Sequence, residues 1–280
     1  MRIVRKVSRI RSVAQKLSHP VVLVPTMGAL HHGHLALLAQ AKRLAGPRGS
    51  TLATIFVNPI QFGPSEDLRR YPRPFREDCA KLSESGCDLL FAPPVTEMYV
   101  SDQSVTVTES KLAKVMCGAS RPGHFSGVCT VVAKLFHLIG PDIAVFGEKD
   151  FQQLAIIRRM VRDLNFSVRI ASHPTVREPD GLALSSRNAY LSSEERSQAP
   201  LIHKTLTEAA AKARAGFASR PRLENWIRSQ IQRASLAKID YAVAVDPETL
   251  QPKSPDQRPL LLAAAVCFGR TRLIDNQLVR

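Results

Sequence analysis

His31, His32, Gly33 and His34 form the cluster in this chain best equipped to do chemistry. Two imidazoles three residues apart supply hydrogen-bond donors, and the glycine between them lets a ligand approach the main chain. They follow an apolar run at 21–25 that reads as a buried strand. They open a run at 33–45 whose apolar positions recur at helical spacing. A strand-to-helix turn offers free N–H groups and the positive end of the helix dipole, which favour a bound phosphate. Three close histidines also fit a metal site, and a polar loop with no ligand is the plainest alternative. Gly28-x4-Gly33 is followed by His34-Leu35 where a P-loop needs Lys-Ser/Thr, and no G-x-G-x-x-G fingerprint follows the strand.

Four further clusters carry suitable residues. Asn58 and Gln61 end a second strand-like run, and their amides suit a hydroxylated substrate; an Asn-Pro turn is the simpler account. Arg121 stands on a Pro-Gly turn before a helical run, where it clamps a carboxylate or phosphate or is merely exposed. Gly147-Glu148-Lys149-Asp150 again lies between strand and helix. Lys149 can neutralise a phosphate or carboxylate, Asp150 can cap the helix or accept from ribose hydroxyls, and Gln153 shares its helix face. Ser185, Ser186 and Arg187 suit a triphosphate or are a polar approach to a helix capped by Ser192 or Ser193. Together, an early His-x-Gly-His turn and a late Ser/Arg loop make the two-part arrangement of adenylate-forming nucleotidyltransferases.

The elements that must hold these residues alternate. Strands are expected at 21–25, 51–57, 88–91, 143–146 and 167–171, and helices at 33–45, 75–84, 125–139 and 150–164. A short strand and helix precede them, at Ile3-Val4 and from Val7 to Leu17. Continuous apolar strands separated by helices imply a parallel sheet covered on both faces, with ligands at the carboxyl ends of its strands. After Ser172–Thr175 the pattern changes to helices near 194–215 and 220–235 and strand-like runs at 238–245, 260–267 and 271–275. The expected fold class is α/β: a Rossmann-like doubly wound parallel sheet at 1–174, holding nucleotide and acid. A smaller α+β domain follows at 175–280.

Composition narrows the function. With 280 residues, 44% of them apolar, the chain fits a soluble globular protein of one or two domains. No apolar run is long enough to span a bilayer, and the basic start lacks a signal peptide's apolar stretch. Five scattered cysteines form no C-x-x-C pair, which argues against a disulfide framework or zinc ribbon and points to the cytoplasm. The net charge of +15 invites a nucleic-acid reading, but the basic residues are dispersed and aromatics make up only 6%. We expect no nucleic-acid or membrane partner; a basic RNA-binding protein without catalysis is the alternative from another class.

The segments PTMGALHHGH (25–34), FVNPIQF (56–62), YPR (71–73), RPGHFSGV (121–128), FGEKDFQQL (146–154) and PTVREPDGLALSSRN (174–188) resemble, in order and spacing, the pantoate–β-alanine ligase family of HIGH-motif nucleotidyltransferases. The resemblance covers essentially the whole chain. It implies ATP-dependent condensation of pantoate with β-alanine through a pantoyl adenylate, releasing pyrophosphate and AMP, on the route to coenzyme A. A related nucleotidyltransferase acting on another small acid is the alternative. By resemblance, His31 and His34 hold the phosphates and His34 donates a proton. Met27 meets ATP near the sugar-phosphate, and Lys149 bridges phosphate and pantoate. Gly147 and Asp150 bind ribose, Val176 and Leu184 bracket adenine, and Ser185, Ser186 and Arg187 clamp the β- and γ-phosphates. Gln61 and Gln153 bind pantoate, Asn58 borders the β-alanine site, and Tyr71 and Arg121 shape or gate the pocket. The resemblance also implies closure of the 175–280 domain over ATP, Mg2+ carried on ATP with no protein ligand assigned, and a homodimer. His32 stands where the family usually has Glu, and His137 where it usually has Asn.

Overall fold

The computed structural model describes residues 1–64, 66–217 and 219–280. The first half runs β1 (Arg2–Val4), α1 (Val7–Ala14), β2 (Val21–Thr26), α2 (His32–Ala45), β3 (Ser50–Ile55), α3 (Phe75–Glu84), β4 (Leu89–Phe91), α4 (Val95–Met98), α5 (Cys117–Ser120), α6 (His124–Ile139), β5 (Ile143–Gly147), α7 (Phe151–Asp163) and β6 (Arg169–His173). The six strands form one parallel sheet in the order β1-β4-β3-β2-β5-β6. The order reverses between β2 and β5, so the loops leaving those two strands flank a crevice. That crevice is where an open α/β sheet binds its ligand.

The strands read as unbroken apolar runs because both sheet faces are buried. Val21 and Leu23 of β2 enter one core with α1, α6 and α7, while Val22 and Val24 enter another with α2 and α3. This is the period-2 alternation of a strand covered on both sides. Ile3-Val4 and the following helix take their expected places, with β1 at the edge of the sheet.

The remainder comprises α8 (Ser193–Gln198), α9 (Leu201–Arg214), α10 (Arg220–Ile231), β7 (Ala237–Val245), β8 (Leu260–Phe268) and β9 (Thr271–Val279), with the strands antiparallel in that order. One helix expected at 194–215 is two. Pro200 stands between α8 and α9, where its missing N–H and its ring interrupt the helical ladder. Ser192 caps α8 in a capping box with Glu195. β8 explains its own apolar run. Leu260, Leu262, Ala264 and Val266 pack with α9 and α10, while Leu261 and Ala263 join the core of the first sheet.

All five cysteines are free thiols. No helix among the described residues is long and apolar enough to cross a membrane.

Candidate active site

The turn from β2 to α2 is shaped from a distance. Gly28 lies at φ +81° and Ala29 at φ +51°, a left-handed pair that turns successive N–H groups toward one side. The N–H groups of Ala29 and Leu30 donate to the carboxylate of Asp78 on α3, at 2.9 and 2.8 Å. Lys81, one helical turn on, donates to the Leu30 carbonyl oxygen at 2.8 Å. A Cβ at position 28 would stand 2.9 Å from Asp78 Oδ2, so both φ and space require glycine there. Asp78, 1% exposed, belongs to the working parts of the site, though nothing around it in sequence marks it.

His31 is the N-cap of α2. Its Nδ1 accepts from the Gly33 N–H at 3.1 Å, and His34 Nδ1 accepts from the His31 N–H at 3.3 Å. The two rings lie 4.0 Å apart. A neutral imidazole that accepts at Nδ1 carries its proton on Nε2. Burial, then Lys149, lowers the His31 pKa to about 4; burial, then His31, lowers that of His34 to about 3. At neutral pH the pair therefore presents two neutral Nε2–H donors and no imidazolium. His34 can donate hydrogen bonds to a phosphate, but it holds no acidic proton to transfer unless a bound anion raises its pKa. His32 is exposed beside this pair.

Across the crevice, β5 delivers Gly147, and a short 3-10 turn over Glu148–Asp150 presents Lys149. Lys149 Nζ lies 3.6 Å from Asp150 Oδ2. Asp150 occupies the N-cap position of α7, but its side chain makes no capping hydrogen bond, so the helix-cap explanation for it fails. Gln153 faces the same cleft.

The amide loop is tightly wired. Asn58, 1% exposed, donates to Gln61 Oε1 at 2.9 Å and to the Gly127 carbonyl at 3.0 Å, and accepts from the Tyr99 hydroxyl at 2.7 Å. Its polar atoms are thus taken up within the protein, and it orients Gln61 rather than offering itself. Gln61 Nε2 lies 3.1 Å from Met27 Sδ. His124, which sequence reasoning sees only as part of the Arg121 turn, joins the site. Its Nδ1 meets the Gln61 carbonyl oxygen at 2.8 Å and its Nε2 meets Arg121 at 2.9 Å. Burial, with Arg121 adjacent, lowers its pKa to about 4. The neutral ring donates at Nδ1 and accepts at Nε2.

Both arginines are already held by carboxylates. Arg121 makes a two-pronged pair with Glu66 at 2.7 and 2.6 Å, and Arg187 one with Asp67 at 2.9 and 2.9 Å. For Arg121 the sequence leaves a clamp and an exposed turn open, and neither reading foresees Glu66 as its partner. Ser185 Oγ accepts from the Arg187 N–H at 3.2 Å, and Ser186 lies 3.5 Å from the Tyr71 hydroxyl. Val176 and Leu184 face each other across a hairpin closed by the Leu184 N–H to Val176 oxygen bond at 3.0 Å. His137, the other unusual position, is remote from all of this and meets Arg11 of α1 at 2.8 Å.

Every residue given a site role by the resemblance lines one cleft of about 240 Å³ at the switch point of the sheet, with His124 added and His32 left outside it. Imidazoles, a lysine, amides and a Ser/Arg loop thus line one crevice of an α/β sheet, an arrangement suited to an ATP-dependent ligase. The chain belongs to the pantoate–β-alanine ligase family, whose model matches residues 2–278. It is 53% identical to the pantothenate synthetase of Akkermansia muciniphila over 256 residues, 91% of each chain. It superposes on the pantothenate synthetase of Thermus thermophilus with a TM-score of 0.93 at 46% identity, covering 100% of this chain and 99% of that one. The pantoate-β-alanine ligase of Francisella tularensis, solved with β-γ ATP and β-alanine, matches at a TM-score of 0.81 and 33% identity over 99% and 97% of the two chains. The chain is accordingly a ligase that couples ATP to the joining of pantoate and β-alanine.

Proposed function

We propose that the crevice between β2 and β5 performs both half-reactions. In the first, a pantoate carboxylate oxygen attacks the α-phosphorus of ATP and the bond to pyrophosphate breaks. In the second, the β-alanine amine attacks the acyl carbon, AMP leaves with the bonding electrons, and the nitrogen loses a proton. Neither step needs a covalent bond to the protein, so the site's work is placement, charge neutralisation and exclusion of water. His31 and His34 donate through Nε2 to the phosphates, and Lys149 neutralises charge growing at the α-phosphate and on pantoate. Gln61 and Gln153 hold pantoate's hydroxyls and carboxylate, and Asn58 fixes Gln61 beside the β-alanine position. Gly147 and Asp150 take the ribose, Met27 the sugar-phosphate edge, and Val176 and Leu184 the adenine. Ser185, Ser186 and Arg187 hold the outer phosphates once Arg187 exchanges Asp67 for them, and Tyr71 and Arg121 form the gate.

The observation that carries this reading is the pair of neutral Nε2–H donors facing Lys149 across the switch point. Among the described residues no group of three or more His, Cys, Asp or Glu side chains could hold a metal ion. Mg2+ would arrive on the nucleotide, held mainly by phosphate oxygens and water, with no protein ligand assigned to it. Residues 175–280 act as the smaller unit that closes over ATP. A homodimer is also proposed, supported by the exposed apolar side chains Val100 and Val105; light scattering on the purified chain tests it. The free thiols support a cytoplasmic location.

The test is pantoate-dependent exchange of labelled pyrophosphate into ATP without β-alanine, followed by pantothenate and AMP formation once β-alanine is added. Exchange that ignores pantoate, or its absence in folded protein that binds ATP, overturns the reading and sends the search to other acids.

A further inference from the structure

The turn that presents Lys149 does not hold itself. The 3-10 turn over Glu148–Asp150 has no side-chain cap, and neither has the N-terminus of α7 that follows. On its side-chain edge Ser172 Oγ of β6 donates to Glu148 Oε1 at 2.8 Å; its main-chain carbonyls are held by the last strand, more than a hundred residues away. Asn276 Nδ2 on β9 donates to the Glu148 carbonyl oxygen at 2.9 Å and to the Lys149 carbonyl oxygen at 3.0 Å. The preceding residue, Asp275, is 4% exposed and grips Arg177 with both carboxylate oxygens at 2.7 and 2.9 Å. Arg177 in turn donates to the Gly181 carbonyl, closing the hairpin from which Ser185–Arg187 emerge.

Successive strand residues face opposite sides of a sheet. Asp275 therefore shares a face with Leu273, in the core under α9 and α10, and Asn276 shares one with Ile274, against the core of the first sheet. Two neighbouring side chains thus hold the two segments that the proposed function places on the nucleotide.

We propose that Asn276 is a positioning residue for the adenylation step, fixing the turn that aims the Lys149 ammonium into the cleft. This rests on the reading of Lys149 given above. Asn276 uses both amide protons on that turn. Removing them takes one hydrogen bond from each of two main-chain carbonyls and loosens the turn, while Lys149 itself stays intact.

The experiment is a double-mutant cycle on pantoate-dependent pyrophosphate exchange, with Asn276→Ala made alone and together with Lys149→Ala. The expected result is a loss of about tenfold or more in kcat for Asn276→Ala in the wild-type background, and less than about twofold in the Lys149→Ala background. Melting temperature should shift equally in both backgrounds. A merely structural role predicts the same loss in each background, and that result overturns the proposal. Asn276→Asp keeps the size but lacks the protons and should lose at least as much as alanine. Asn276→Ser retains one donor and should fall between, which keeps the test readable if the alanine variant folds poorly. Normal exchange in Lys149→Ala alone overturns the reading of the lysine, and the positioning role with it. Normal exchange in Asn276→Ala, with Lys149→Ala crippled, overturns the positioning role alone.

Discussion

The turns leaving β2 and β5 do matching work from opposite sides of the switch point, but they are held in different ways. The histidine turn is braced locally in space. Asp78 and Lys81 of α3, in the same half of the chain, fix its N–H and C=O groups, and its own imidazoles cap α2. The lysine turn has a single side-chain bond from its own half, Ser172 Oγ of β6 to Glu148 Oε1, and its two held carbonyls depend on Asn276 of β9. One turn is therefore complete once the first sheet has formed, whereas the other is complete only when the last strand has docked. Half of the proposed phosphate site is scaffold, and half depends on the C-terminal region.

The strongest way to test this contrast is to remove the chemistry from each turn. Lys149→Ala and His34→Ala should each lower the exchange rate by several hundredfold, about 3–4 kcal/mol of transition-state stabilisation, with far-UV circular dichroism unchanged. A near-normal rate in either would remove that turn from the site. Next comes the brace. Asp78→Ala strands two buried N–H groups and should cost about 2–5 kcal/mol of stability in urea unfolding. It should also raise the KM for ATP. A stability close to wild type would show that the histidine turn does not depend on α3.

Gly28→Ala tests the same turn more gently. Its positive φ and the 2.9 Å approach to Asp78 should cost about 1–3 kcal/mol, read as a lowered melting temperature. Acid should also act on this side. The folded-state pKa values of His31, His34 and His124 lie near 4, 3 and 4, below the ordinary 6.5. Between 6.5 and about 4 the unfolded chain binds protons that the folded chain does not, so stability falls as pH drops through that window and flattens below it. A melting temperature independent of pH from 6.5 to 4 in wild type, or no flatter in His34→Gln, would contradict the neutral-imidazole assignment. The smallest effect is expected at the Ser/Arg loop. Asp67→Asn should free Arg187 for phosphate and lower the KM for ATP by about two- to fivefold, the scale of a partly exposed ion pair; an unchanged or raised KM would mean that Asp67 is no competitor.

What can be seen in the sequence follows from the range of the interactions. The strands of the first sheet and the helices between them are marked by local periodicity, and the His, Lys and Ser/Arg turns by residue type at strand ends. The carboxyl ends of the strands are legible as the ligand side, but the switch point is not, because it depends on the strand order that only the assembled sheet shows. Asp78 and Asn276 are not visible as site residues because they act through partners far away in the chain, and His124 because its link to Gln61 spans 63 residues even though Arg121 is close by. Asp78 reads as an ordinary helix acid until Ala29 and Leu30 are seen bound to it. The carboxylates facing Arg121 and Arg187 escape notice for the same reason. Pro200 is legible in principle, since a proline inside a helical run should split it, but the apolar pattern continues across it.

The way β8 is packed limits how such enzymes can be recombined. Leu261 and Ala263 are plugged into the core that β2 and α6 help to form, while their neighbours Leu260 and Leu262 sit in the other. A graft that exchanged everything after residue 174 with a distant relative would bring foreign side chains into the centre of the first sheet's core. Misfits there cost about 1–3 kcal/mol each when volume is added and more when a cavity opens. A functional chimaera would therefore have to carry the matching residues of the first sheet's core along with the exchanged segment, or leave positions 261 and 263 as they are.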